Sequence, residues 1–116
     1  MNTELLELRE RLRQFATDRD WDQFHSPKNL ASALSVEAGE LLECFQWLTE
    51  DQSRHLLKDQ KVRVEAEIAD VLVYLIRLAD KLDIDLIDAT RRKIAANAEK
   101  YPIEKARGNA KKYTDL

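Results

Sequence analysis

Leu5, Leu8, Leu12 and Phe15 fall at helical spacing with charged residues between them, which predicts a first amphipathic helix from a cap at Asn2 or Thr3 to about Asp20. The stretch Trp21 to Ser26 breaks that pattern. Ser26-Pro27 then reads as a helix opening, a capping side chain followed by a residue that needs no amide donor. A second helix is expected from there to about Leu48. Thr49 to Gln60 is polar, with room for a short helical turn, and Val64, Ile68, Val71, Leu72, Leu75, Ala79 and Leu82 then define a long third helix. Asp83 or Asp85 caps a fourth through Ile87, Ile94 and Ala98. Tyr101-Pro102 ends it, because the residue before proline is pushed out of helical geometry. From Ile103 to Leu116 the tail is basic and reads as irregular.

Val71 to Ile76 is apolar without interruption, and a helix apolar on all sides must be covered on more than one of them. Three other helices of this length cover it poorly, so an oligomer is predicted. With two glycines, two prolines and 35% charged residues in 116 positions, the composition is that of long solvated helices. The expected fold is all-α and four-helix-bundle-like, one domain over residues 1–116 with a basic tail from about 103 to 116. A net charge of −3 argues against a nonspecific binder of nucleic acid polymer or of a membrane surface, which needs a basic field. The lone Cys44 can form no internal disulfide, and the first fifteen residues hold no apolar run, so a cytoplasmic location is expected.

Acidic pairs three residues apart are common here, and most such pairs are simply solvated. Position separates two of them from the rest. On a helical projection Leu30, Leu34, Leu41, Phe45 and Leu48 form one apolar stripe with Glu37 in its middle, while Glu40 lies on the adjoining edge and Glu43 turns toward solvent. A carboxylate in a core slot must be paired, protonated or bound to a cation. On the third helix Glu67 and Asp70 share a face with Tyr74. If the second and third helices pack antiparallel, the two pairs concentrate four negative charges in one place. Basic residues do not cluster around them apart from Arg63, which favours a metal over an ion-pair network. All-oxygen ligands select a hard cation, Mg²⁺ or Mn²⁺. A di-iron bundle wants Glu-x-x-His on two helices, and that pattern is missing.

Gly39, between Glu37 and Glu40 in mid-helix, hints either at a close approach to the backbone or at simple close packing. Trp47 and Tyr74 by themselves read more readily as core residues than as platforms for a ligand. Lys93, Asn97 and Lys100 share a face of the fourth helix, either solvated or holding phosphate oxygens. His25 by itself reads as a capping or surface histidine, and Cys44 as core.

Several segments in order resemble the all-α nucleoside triphosphate pyrophosphohydrolases of the MazG-like superfamily, most closely its single-domain dCTP pyrophosphatase branch. They are Trp21-Asp-Gln-Phe-His25-Ser-Pro-Lys-Asn-Leu30, Glu37-Ala-Gly-Glu40-Leu-Leu-Glu43 with Phe45-Gln-Trp47, and Glu67-Ile-Ala-Asp70-Val-Leu-Val-Tyr74. Lys93, Asn97, Lys100-Tyr-Pro102 and Lys112-Tyr-Thr114 continue the match over almost the whole chain. The resemblance implies that Glu37, Glu40, Glu67 and Asp70 ligate Mg²⁺. It implies conversion of a deoxynucleoside triphosphate, dCTP or a modified cytosine nucleotide for preference, to monophosphate and pyrophosphate by water attack at the α-phosphorus. It makes Trp21, His25, Trp47, Tyr74, Lys93, Asn97 and Lys100 substrate contacts, and a homotetramer, a dimer of dimers, the expected assembly. Leu12 departs from the pattern, standing where some members carry a polar residue near the nucleotide. The competing expectation is a noncatalytic helical oligomerisation module whose buried acids are paired structurally.

Overall fold

The computed structural model describes residues 2–116. Its long helices are α1 (Thr3–Asp18), α2 (Pro27–Glu43), α4 (Lys58–Lys81) and α5 (Leu86–Lys100); α3 (Glu50–Arg54) and α6 (Ile103–Ala106) are short. The described residues contain no strand. The 3₁₀ turns Asp22–Phe24 and Tyr113–Asp115, together with α6, give the tail and the first connection more regularity than expected.

The capping chemistry explains most boundaries. Asn2 Oδ1 accepts from the amides of Glu4 and Leu5 at 2.9 and 3.2 Å, and Ser26 Oγ accepts from Asn29 at 3.2 Å with Pro27 opening α2. Thr49 and Gln52 exchange side chain and backbone bonds in a capping box that starts α3. Asp85 caps α5. Asp83 instead closes α4: it sits at φ 53°, with Ile84 N donating to Ala79 O at 2.8 Å. Asp20 does the same for α1 at φ 54°, with Trp21 N donating to Ala16 O at 2.9 Å. Each is a left-handed stop after a helix, which aspartate tolerates better than most side chains. The first helix therefore ends at Asp18, two residues short of the expected Asp20, and the stop aims Trp21 and Asp22 back toward α4.

α2 ends at Glu43, not near Leu48. From Cys44 the regular ladder gives way to mixed turns: Cys44 N to Leu41 O at 3.1 Å, Phe45 N to Leu42 O at 2.9 Å and Leu48 N to Phe45 O at 2.9 Å span three residues, while Gln46 N to Leu42 O at 2.9 Å spans four. α2 packs along α4 antiparallel: His25 meets Arg77 at one end, while Cys44 and Leu48 share a depression with Gln60 and Arg63 at the other. α1 lies across α4, and Ala16, Leu30, Val64, Ile76 and Ala79 form the small buried core.

α5 touches this core only through its first turns. Leu86 and Ile87 reach Leu5, Leu72 and Leu75, and every residue from Arg91 to Lys100 is exposed. The fourth long helix thus leaves a three-helix core and does not close a bundle within one chain. A radius of gyration of 17.6 Å, against about 13 Å for a compact domain of this size, reflects that projection. Leu8 and Phe15 on α1 and Ile68, Leu72 and Leu75 on α4 are exposed. No helix of the described residues is long and apolar enough to cross a membrane.

Candidate functional site

Antiparallel packing brings Glu37 of α2 against Glu67 and Asp70 of α4. One carboxylate oxygen from each lies within 4.8 Å of the others. Glu37 Oε2 and Glu67 Oε2 are shielded from solvent without a hydrogen-bond partner, and Asp70 lies at the exposed rim. An ionised oxygen in that state is costly, so the protein responds by shifting the proton equilibrium. Burial pushes the Glu37 carboxyl up to about 7, with Glu40, Asp70 and Glu67 adding to it. Burial also raises Glu67, reinforced by the charge of Glu40. Glu40 stands outside the tight group of three but close enough to act on both. Among the described residues no Lys, Arg or His forms an ion pair with any of these four acids.

The donor set fits a hard divalent cation: three carboxylates converge, a fourth adjoins, and two oxygens have nothing else to bind. Glu43 is exposed and is not among the three converging acids. Gly39 is not explained by close approach or packing within this chain, because a Cβ built there meets nothing within 4 Å.

Beside the acids opens a cavity of about 310 Å³ between α1, the 3₁₀ turn and α4. Glu37 and Asp70 form one side; Trp21, His25 and Tyr74 line the rest with Leu12, Phe15 and Arg77. Phe15 and Trp21 meet edge to face, ring centres 5.8 Å apart, which steadies the indole at the mouth. Three of the seven side chains expected to touch substrate are therefore gathered at one cavity with the acids. Trp47 is not. It lies beyond the end of α2 at Glu43 and stands 87% exposed over the depression of Cys44 and Arg63. Lys93, Asn97 and Lys100 lie on the projecting part of α5, away from the cavity within this chain, where Lys100 packs over the Tyr113 ring at 4.9 Å.

Arg77 was not anticipated. It is 4% exposed, lines the cavity and reaches Asp22, His25 and Asp80. The signal was present as a single arginine inside the apolar run Val71-Leu-Val-Tyr-Leu-Ile-Arg-Leu-Ala79, where a charge has no reason to sit unless it has partners.

Comparison with known proteins identifies relatives of this chain and a solved structure of similar fold. The chain is 44% identical over 105 residues to "dCTP pyrophosphatase 1" of Mus musculus and 41% identical to the Homo sapiens protein of that name, in each case over 89% of this chain. It spans 62% of the length of each of these relatives. The crystal structure of a pyrophosphatase from Archaeoglobus fulgidus superposes with a TM-score of 0.82 at 45% identity, covering 88% of this chain and 95% of that one. The MazG-like family pattern matches residues 32–116, a span that takes in all four acids, and the chain belongs to the MazG-like family.

Proposed function

We propose that this chain is a Mg²⁺-dependent nucleoside triphosphate pyrophosphohydrolase that cleaves a deoxynucleoside triphosphate, dCTP or a modified cytosine nucleotide for preference, to monophosphate and pyrophosphate. The observation that carries the reading is the pair of orphaned oxygens on Glu37 and Glu67, with Glu37 at the wall of an aromatic-lined cavity. The names of the relatives, two dCTP pyrophosphatases and a pyrophosphatase, support the substrate class and the reaction.

Glu37, Glu40, Glu67 and Asp70 are the residues that would hold the cation, with Mn²⁺ an acceptable substitute. When bound, it supplies neutralisation of the triphosphate and acidification of a water. The chain does the positioning. Trp21 and Tyr74 offer aromatic faces to a base, worth roughly 1–3 kcal/mol per stacked base, and the apolar wall of Leu12 and Phe15 excludes water from it. Asp70, at the rim between acids and cavity, joins the phosphate end to the base end. No nucleophilic side chain is required.

The expected assembly is a homotetramer, a dimer of dimers. The apolar stripe of Leu8, Phe15, Leu72 and Leu75 and the projection of α5 support it, because both leave surface that a second copy would cover. In such an assembly Trp47, Lys93, Asn97 and Lys100 would serve a neighbouring subunit's cavity, the lysines taking phosphate oxygens. The lone free cysteine and the acidic balance suit the cytoplasm, with no nucleic acid polymer or membrane as partner.

Incubation with dCTP and Mg²⁺, with the other deoxynucleoside triphosphates alongside, tests the proposal. It expects dCMP and pyrophosphate. Orthophosphate release would move the cleavage site, and background hydrolysis across the panel would leave the acids with a structural role in an oligomerisation module.

A further inference from the structure

Arg77 raises a question that packing does not answer. Its Nε is buried without a partner, a costly state that an aliphatic side chain would avoid. Its terminal nitrogens are committed. Nη2 donates to Asp22 Oδ1 at 3.0 Å and lies 3.1 Å from His25 Nδ1, while Nη1 lies 3.6 Å from Asp80 Oδ2. Asp22 in turn accepts from Lys81 Nζ at 2.6 Å, so two cations hold it and it makes no bond to the imidazole.

A guanidinium offers only donors and stays protonated at any working pH. The contact with His25 therefore has one sense: Arg77 donates and Nδ1 accepts. An imidazole whose Nδ1 accepts is neutral and carries its hydrogen on Nε2. No described group accepts from Nε2, and the ring lines the cavity with Trp21 and Tyr74. The charged groups facing His25 are Arg77, Asp22 and Lys81. Burial pushes its pKa down, and Arg77 pushes the same way.

We infer that Arg77 is a positioning residue that holds His25 as a neutral Nε2–H donor, so that the cavity selects a base presenting an acceptor there, such as the adjacent ring nitrogen and carbonyl oxygen of cytosine. The selection half of this rests on the proposed nucleotide activity. The coupling between the two side chains does not.

The chain has two histidines, so imidazole ¹⁵N spectra of the labelled protein are readily assigned. His55 is a built-in contrast: its Nδ1 lies 3.0 Å from the Asp51 carbonyl oxygen, which can only accept, so His55 should show the opposite tautomer. The expected result is an Nε2–H pattern for His25 in the wild type with its Nδ1 resonance displaced by the accepted hydrogen bond, and return of that resonance to the unbonded position in Arg77→Met. The KM for dCTP should rise roughly tenfold in that variant with kcat changed less, as removal of one hydrogen bond from binding implies. Arg77→Lys, which keeps a donor, should restore part of both. An Nδ1–H or doubly protonated His25 in the wild type overturns the inference, whether or not the variants fold. So does an Arg77→Met protein with the wild-type spectrum. An Nε2–H spectrum in a protein that turns over no deoxynucleotide supports the coupling and overturns the nucleotide reading.

Discussion

At Glu37, Glu67 and Asp70 carboxylates converge on one another, and no cation of the described chain answers them. Two turns further along α4 the opposite holds. Asp80 accepts from Arg13 Nε at 2.7 Å and from its Nη2, Arg77 bridges Asp80 to Asp22, and Lys81 closes on Asp22. The acids of the two clusters respond in opposite directions: burial raises Glu37 and Glu67, whereas hydrogen bonds from Arg13 lower Asp80 and those from Lys81 and Arg77 lower Asp22. The paired cluster ties α1 and the first connection to α4. The unpaired one ties nothing, and its burial is a cost to be offset by something that arrives from outside. Buried charge on a helix is thus no single signal; what surrounds it decides whether it holds the fold or awaits a ligand.

Exchanging single residues should separate the two clusters. The largest effect is expected for Glu37→Gln, which should lower pyrophosphate release roughly 10²-fold or more, since it removes a proposed metal ligand and not merely a supporting partner. At about pH 8, above the raised value, the same change should leave the melting temperature in chelator unchanged or raised, because an unpartnered charge disappears. A melting temperature that falls would place Glu37 with the structural acids. Asp80→Asn should do the reverse: about 1.5–3 kcal/mol of stability lost in urea denaturation as Arg13 loses its carboxylate, with kcat per folded molecule kept.

Acidification sharpens the contrast. A carboxyl held at about 7 when folded, against 4.5 as the ordinary value, favours the protonated folded state. Its stabilising contribution is complete below the ordinary value and is lost as pH rises through about 7. Asp22 and Asp80 are shifted the other way, so theirs persists above the ordinary carboxylate range and is lost only as pH falls through their lowered values. Without metal, the melting temperature of the wild type minus that of Glu37→Gln should therefore decline between about pH 5 and about pH 8. Mg²⁺ should reverse the decline at the upper end, where the ligand is ionised. A difference that is flat with pH would mean Glu37 is not held protonated. The smallest effect is expected at Arg54, 3.7 Å from Glu50 on an exposed face, where Arg54→Ala should change stability by only a few tenths of a kcal/mol and turnover not at all.

The sequence by itself placed the four long helices and several of their ends, because Ser26-Pro27 and Tyr101-Pro102 act locally, and it narrowed the start of α5 to Asp83 or Asp85. It also marked Glu37 as abnormal, since a polar residue inside an apolar stripe is visible on a projection. What it could not determine was where a regular projection stops being valid. Trp47 shares a face with Glu40 only if α2 continues, and the end of α2 at Glu43 removes that condition. Nor could spacing show Arg77 reaching Asp22 and His25, more than fifty residues earlier, since that contact exists only once α4 lies against the first connection. The convergence of Glu37 with Glu67 and Asp70, and the absence of any cation to answer them, belong to tertiary structure for the same reason: local chemistry sets each helix, but the charge that one helix meets is chosen by the helix packed against it.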